Sequence, residues 1–384
     1  MLTTLAIAGY RSLRSLAIPL RRLNLVTGAN GTGKSSLYRA MRLLADAAQG
    51  RVVQSLALEG GLPSTLWAGP ESFSRAMKAG EVEIEGSVRR DRVSLRLGFA
   101  GEEYGYLIDL GLPAPSRSLF ALDPEIKREM IWCGERRRPS TTLVDRRGPV
   151  VRARGDDDQW AVVSHSLDAF ESVISRLADP RSQPEVFAVR DMVRGWRFYD
   201  HFRTDPDAPA RAAQIGTRTT VLSDDGRDLA AALRTIVEIG DEEELAKAVD
   251  DAFPGARVAV ESRDGRFAIR MQQRGLLRPL DAAELSDGTL RYLLWIAVLL
   301  TPRPPALMVL NEPETSLHPD LLPALARLVA QASARTQLVV VSHSRGFTEA
   351  LSALPECHTM ALEKDLGETK VKGAAAAVWE WPGR

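Results

Sequence analysis

Apolar and polar positions alternate over residues 2–7 and again over 15–20, the period of two expected of a strand hairpin. A short apolar run at 23–27 (LNLVT) predicts a buried strand, and the spacing turns helical over 36–44 (SLYRAMRLL). Strand-like segments follow at 81–88, 92–99, 104–110 and 126–133 and predict an antiparallel sheet. Residues 167–174, 184–194 and 229–253 read as helices, and 204–225, rich in Pro, Ala and Asp, reads as a long loop. A hairpin is expected over 258–261 and 267–271, turning at Asp264-Gly265. An apolar helix over 290–300 and strands over 306–310 and 337–341 then restore α/β alternation. No internal repeat or sustained heptad pattern is present.

Between the buried strand and the first long helix lies GANGTGKS, residues 28–35, which fits G-x-x-x-x-G-K-[ST]. A chance match arises in roughly one chain of this length in a hundred at average composition; the flanking strand and helix favour the functional reading. Gly28, Gly31 and Gly33 let the backbone turn, so that the loop formed with Ala29, Asn30 and Thr32 points its N–H groups at phosphate oxygens. Lys34 has the reach for the β- and γ-phosphates, and the Ser35 hydroxyl can bind Mg²⁺. Ser36 follows in the first turn of the helix, whose N-terminus adds its positive dipole end.

Three later segments carry chemistry. Residues 306–314 (ALMVLNEPE) form an apolar strand with a polar tip, which places acids at the ligand edge of a parallel sheet. Glu312 is the candidate general base that polarises an attacking water, and Pro313 stops the strand. Asn311 stands where most phosphate-loop enzymes carry an Asp that holds Mg²⁺ through water; an amide keeps the acceptor oxygen but loses the charge. In 285–289 (LSDGT), Ser286 and Gly288 precede the apolar helix, either as a second anion site or as a plain helix cap. In 337–343 (QLVVVSH), His343 can bond a γ-phosphate, although a histidine at a strand end is often structural.

The chain has 384 residues, 45% hydrophobic and 26% charged, which suits a soluble globular protein with two or three domains' worth of sequence. A formal net charge of zero gives no argument for nucleic acid or membrane. No acid precedes Asp46, but this Arg-rich start runs without a break into the glycine loop, so it is read as fold rather than transit peptide. Cys133 and Cys357 are far apart in sequence and suggest neither a disulfide framework nor a zinc site. The longest apolar run, 292–300, falls short of the ~20 residues of a membrane span. A reduced, cytoplasmic protein with no membrane partner is expected. Arg136, Arg137, Arg138, Arg146, Arg147, Arg152 and Arg154 read as a basic loop closed by Asp156, Asp157 and Asp158, either solvated or contacting DNA. Trp196, Phe198 and Tyr199 suit sealing a helical lobe better than stacking on bases; Trp379 and Trp381 either mark a partner surface or pack back.

Taken in order, the phosphate loop, S-D-G-T, N-E-P-E-T-S-L-H-P and V-S-H resemble the ABC-type ATPases, specifically the heads of the SMC and RecF group. The chain is similar to the stand-alone bacterial AAA-family ATPases that lack a long coiled coil. The resemblance covers residues 1–45 and 280–350. It implies an α/β P-loop NTPase fold, an ABC-type ATPase head with an antiparallel side sheet and a helical lobe. The expected division is an N-terminal lobe over 1–160, a helical lobe or insertion over 161–255, and a C-terminal lobe over 256–384. The resemblance makes 286–289 the signature motif, 316–319 the D-loop with His318 inside it, and His343 the switch histidine. It implies ATP and Mg²⁺ as cofactors, with Ser35 and Asn311 toward the metal. Lys34, Glu312 and His343 would be catalytic. Two heads would sandwich two ATP, with Ser286 and Gly288 contacting the γ-phosphate held by the other head. The implied setting is a DNA-associated process, in repair or anti-phage defence; the alternative is a nucleotide-controlled module gating an effector protein. Asn311 departs from the family pattern and points to slow hydrolysis. The family's Q-loop glutamine has no clear counterpart, since Gln159 and Gln183 lack its context.

Overall fold

The computed structural model describes residues 1–83, 94–115, 117–155, 157–373 and 377–384, arranged as two compact units that interleave along the chain. The first unit takes Met1–Arg21, Gly28–Gly195 and Met360–Arg384; the second takes Arg22–Thr27 and Trp196–Thr359.

The first unit is built on an antiparallel sheet. Its order is Leu13–Pro19, Leu2–Tyr10, Leu95–Gly101, Tyr104–Gly111, Glu125–Cys133, Thr142–Arg147, Val150–Arg154, Trp160–Ser164. The opening hairpin and the strands expected at 104–110 and 126–133 are present. Of the two other expected strands, 84–88 and the start of 92–99 lie outside the described residues, as does Asp156. The helix Lys34–Ala48 lays Leu37, Met41 and Leu44 into the core while Arg39 and Arg42 stay in water. That is the spacing of an amphipathic helix. Trp379 and Trp381 pack back on Trp132, with neighbouring ring centroids 5.7 and 5.3 Å apart.

Two expectations fail in this unit for one reason. Arg146 is not in a loop: it sits in the strand Thr142–Arg147, fully buried, 2.8 Å from the equally buried Glu129. Glu129 also accepts from Tyr106 Oη, Ser172 Oγ and the Val173 N–H. The Arg146 guanidinium donates to the carbonyls of Gly148, Asp168 and Glu171. With those carbonyls committed to an arginine, 167–174 does not wind as expected, and helix appears only at Val173–Arg176. Breaking such a pair by removing one partner costs roughly 3–5 kcal/mol. The neighbouring arginines are also engaged: Arg152 and Arg154 lie over the Trp160 ring, and Arg154 pairs with Asp158 at 3.1 Å. Arg136 and Arg138 lie in an exposed turn, and Arg147 and Arg152 point to solvent from their strands, so the basic loop is mostly sheet.

The second unit centres on parallel strands in the order Arg197–Tyr199, Leu307–Asn311, Gln337–Val341, then residues 23–27. The Leu and Val runs of the last three suit strands covered on both faces. The helices Asp287–Leu299 and Leu322–Ser333 share a core with them, including Met308, Leu310, Val340, Leu290, Leu294, Trp295, Leu325 and Val329. The strand Arg197–Tyr199 was not foreseen; three residues are too short to show a period. Tyr199 is buried against Trp295, edge to face. The expected helix over 229–253 is two helices, Leu229–Ile239 and Glu242–Ala252. Gly240 ends the first, and the Asp241 carboxylate accepts from the Glu244 N–H to start the second. The expected hairpin forms as Arg257–Arg263 and Arg266–Gln272, with positive φ at both Asp264 and Gly265.

Register aligns the strand ends. Val26 lies opposite Val341, Val341 opposite Asn311, and Leu310 opposite Tyr199. One edge of the parallel sheet therefore presents, in succession, residue 27, residues 342–343, residues 311–312 and residue 200, which is where open α/β sheets bind ligands.

Candidate nucleotide site

The phosphate loop continues the strand Leu23–Gly28 and leads into Lys34–Ala48. Gly28, Gly31 and Gly33 all take positive φ. At Gly33 a side chain is excluded twice: φ is 106°, and a Cβ would meet Thr369 Oγ1 at 2.3 Å. Lys34 folds back over the loop, and its Nζ donates to the carbonyls of Gly28 at 2.7 Å and Ala29 at 3.1 Å. Thr32 Oγ1 donates to the Ala29 carbonyl at 2.8 Å. The outer wall is held by Thr369, whose hydroxyl donates to the Thr32 carbonyl at 2.8 Å and lies 2.8 Å from Ser12 Oγ. Ala29, Asn30, Gly31 and Ser35 are exposed, with Ser36 half-buried behind them. No side chain caps this helix and no acid lies in its first turn. Its N-terminal amides thus keep the anion preference of a bare helix start.

In the second unit, Glu312 follows the strand Leu307–Asn311 with φ 50°. That conformation is uncommon outside glycine and is often met at functional positions. Its N–H donates to the Val341 carbonyl at 2.8 Å, and its carbonyl accepts from the Thr315 N–H at 3.0 Å. Glu312 Oε1 lies 3.1 Å from His343 Nδ1, both side chains part-exposed. A carboxylate and an imidazole in this contact can orient one another and share a proton, the arrangement of a base and its partner.

The second acid of N-E-P-E has a different place. Glu314 is buried, and one oxygen, Oε1, accepts from Ser342 Oγ at 2.5 Å, the His343 N–H at 3.2 Å and the Ser344 N–H at 3.1 Å. It therefore fixes the backbone that carries His343. Asn311 Nδ2 donates to Asp200 Oδ1 at 2.8 Å.

Ser286 caps the helix Asp287–Leu299, accepting from the Thr289 N–H at 3.2 Å, so the plain-cap reading of this residue holds as local structure. The approach to the cap is pinned by Arg211. Its guanidinium donates to the carbonyls of Thr204, Ala282 and Leu285 and to Asp287 Oδ1, at 2.7–2.9 Å. Gly288 faces the Ser316 carbonyl, 3.5 Å from where a Cβ would sit. One turn on, the buried Arg291 donates to the carbonyls of Thr315 and Phe202; burial pulls its pKa below the usual arginine value. His318 accepts from the Asp320 N–H at 3.3 Å and starts the short turn Pro319–Leu321, the capping role.

Glu312, His343 and Asn311 thus share one sheet edge, and Gly288 and Arg291 of the helix start adjoin Ser316 and Thr315. Gln159 and Gln183 do not belong to the parallel sheet: the first precedes the strand Trp160–Ser164, the second the helix Pro184–Arg194. Asp200, Arg211, Arg291 and Thr369 carry no motif; Glu314 alone stood inside one.

The residues suit Mg²⁺, a hard ion that takes oxygen ligands. Asn311 turns its amide nitrogen to Asp200, leaving the amide oxygen as the acceptor, and Ser35 offers an exposed hydroxyl. Among the described residues no group of three or more His, Cys, Asp or Glu is placed to cage a metal. Nor is any helix there long and apolar enough to cross a membrane.

A family model described as "AAA domain, putative AbiEii toxin, Type IV TA system" matches residues 23–349. Among solved structures, an SMC head bound to the C-winged helix domain of ScpA matches at 12% identity, covering 96% of this chain and 97% of its own, with TM-score 0.52. The SMC head domain from Thermotoga maritima matches at 13% identity over 97% and 99%, with TM-score 0.47. No curated protein matches the chain.

Proposed function

The chain belongs to this AAA-domain family and has the ABC-type ATPase head fold of the SMC and RecF group, and we propose that it is a slow ATP-driven switch. The observation that carries the reading is the Glu312–His343 contact at the sheet edge where the phosphate-loop strand also ends. Lys34 and the loop amides bind the phosphates. Ser35 and Asn311 would hold Mg²⁺, which would supply positive charge against the phosphates. Glu312 takes the proton of the attacking water, and His343 orients Glu312 and bonds the γ-phosphate. Ser286 and Gly288 offer an exposed helix start to the nucleotide of a second copy, so two ATP join two chains. Hydrolysis is slow because residue 311 meets the ion with an amide oxygen rather than a carboxylate.

The output belongs to a partner. With Arg146 buried on Glu129 and Arg154 paired with Asp158, a gated protein partner is favoured over a DNA-associated role in repair or defence. Glu312→Gln tests the core of the reading. Steady-state hydrolysis should fall about 10²–10⁴-fold while ATP binding persists, and light scattering with Mg-ATP should report a dimer. A monomer with and without Mg-ATP overturns the face-to-face arrangement. Stimulation of the unmodified protein by duplex DNA would overturn the preference for a protein partner.

A further inference from the structure

At the edge of the parallel sheet an amide stands where a carboxylate is usual, and a carboxylate stands on the neighbouring strand tip. Asn311 ends its strand with a neutral side chain, and Asp200, charged, directly follows the end of the neighbouring strand. Their register is fixed, since Tyr199 lies opposite Leu310. Asp200 is also held from both sides along its own chain. The Tyr199 hydroxyl donates to the Leu222 carbonyl at 2.8 Å, and the Phe202 carbonyl accepts from Arg291 at 2.9 Å. The Asp200 side chain accepts from Asn311, with Nδ2 and Oδ1 2.8 Å apart. This bond orients the Asn311 amide, and the Asp200 carboxylate that accepts it belongs to an exposed residue.

We propose that Asp200 supplies the negative charge for the Mg²⁺ of Mg-ATP that the amide at 311 lacks, so that the two strand tips act as one split metal ligand. This rests on the ATP-binding reading above. The Asn311 oxygen is the hard acceptor, and Asp200 holds it in place through Nδ2. The Asp200 carboxylate contributes its charge through the ion's hydration water, which Mg²⁺ gives up reluctantly. An outer partner of this kind typically accounts for 10–100-fold in metal affinity.

The test uses the full chain, in excess over ATP, with Mn²⁺ as the probe ion and free Mn²⁺ read by its paramagnetic resonance signal. Binding of a fluorescent ATP analogue in EDTA is measured beside it. Asp200→Asn should raise the Mn²⁺ concentration for half-saturation roughly 10–100-fold and leave EDTA binding unchanged. Asp200→Asn combined with Asn311→Asp moves the charge one strand over and should restore Mn²⁺ affinity. Unchanged Mn²⁺ affinity in Asp200→Asn overturns the proposal while the ATP-binding reading stands. A double variant as weak as Asp200→Asn also overturns it, since charge at the two tips would then not be interchangeable. Failure of the unmodified protein to bind the analogue with or without Mn²⁺ sinks the underlying reading, and the proposal with it.

Discussion

The phosphate loop of the first unit and the strand-edge cluster of the second are built in opposite ways. The loop is local: eight consecutive residues supply the turn, the cation and the hydroxyl, and the carbonyls that hold Lys34 lie within the same eight. The cluster is assembled from afar. Asp200 meets Asn311 across 111 residues, Arg211 meets Leu285 across 74, and Glu314 meets Ser342 across 28. Binding phosphate mainly needs backbone amides and one cation, which a short segment can hold. Timing hydrolysis needs side chains whose relation changes with nucleotide, and these come from several strand ends.

The contrast predicts that damage to the loop removes binding, while damage to the cluster spares binding and alters hydrolysis and pairing of the chains. The largest effect belongs to Lys34→Ala, which deletes a charge-assisted bond to phosphate of about 2–3 kcal/mol. ATP affinity should fall on the order of 30–150-fold, measured by equilibrium dialysis. Affinity kept within a few-fold of the unmodified protein would break the loop assignment.

Next in size is Arg211→Met, which keeps the apolar stem and removes the donors that hold the approach to Ser286. The carbonyls of Thr204, Ala282 and Leu285 lose a charged partner, at a cost of roughly 2–3 kcal/mol where they stay buried. Thermal unfolding should shift down, and hydrolysis and dimer formation should drop, while nucleotide affinity of the single chain stays near normal. Reduced affinity with intact dimer formation would erase the division of labour between the two regions.

Legibility divides along the same line. The loop, the strand before it and the helix after it could be read because period, glycines and lysine fall in one window. Glu312, Asn311 and His343 could be read as strand tips, and register does put them on one edge. Nothing in the sequence marks Arg211 among the Ala, Pro and Asp of its loop, or Thr369 as the residue against Gly33, because their partners are distant in the chain. The seven arginines between 136 and 154 show the converse error. Composition suggested a solvated basic loop, yet Arg146 has a buried counter-ion in Glu129, a pairing that only the sheet register reveals.

The smallest expected effect sharpens the comparison most. Asn311→Asp replaces the donor in the Asn311–Asp200 bond with an acceptor, so two carboxylates face each other where one hydrogen bond stood at 2.8 Å. For an exposed pair the repulsion is about 1 kcal/mol at 4 Å in water, and salt screens part of it. Without divalent ion the variant should melt a few degrees lower, about 2–4 °C per kcal/mol for a domain of 150–250 residues, and the gap should narrow as NaCl rises. Mg²⁺ should narrow it more than an equal ionic strength of NaCl, because an ion between two carboxylates turns repulsion into binding. A family-typical Asp at 311 would then stabilise the Mg²⁺ state and destabilise the ion-free one, whereas the amide avoids the ion-free repulsion and leaves the charge to Asp200. A melting temperature unchanged in all three conditions would mean that the two strand tips do not sense each other, and the contrast between a local loop and a long-range cluster would lose its clearest instance.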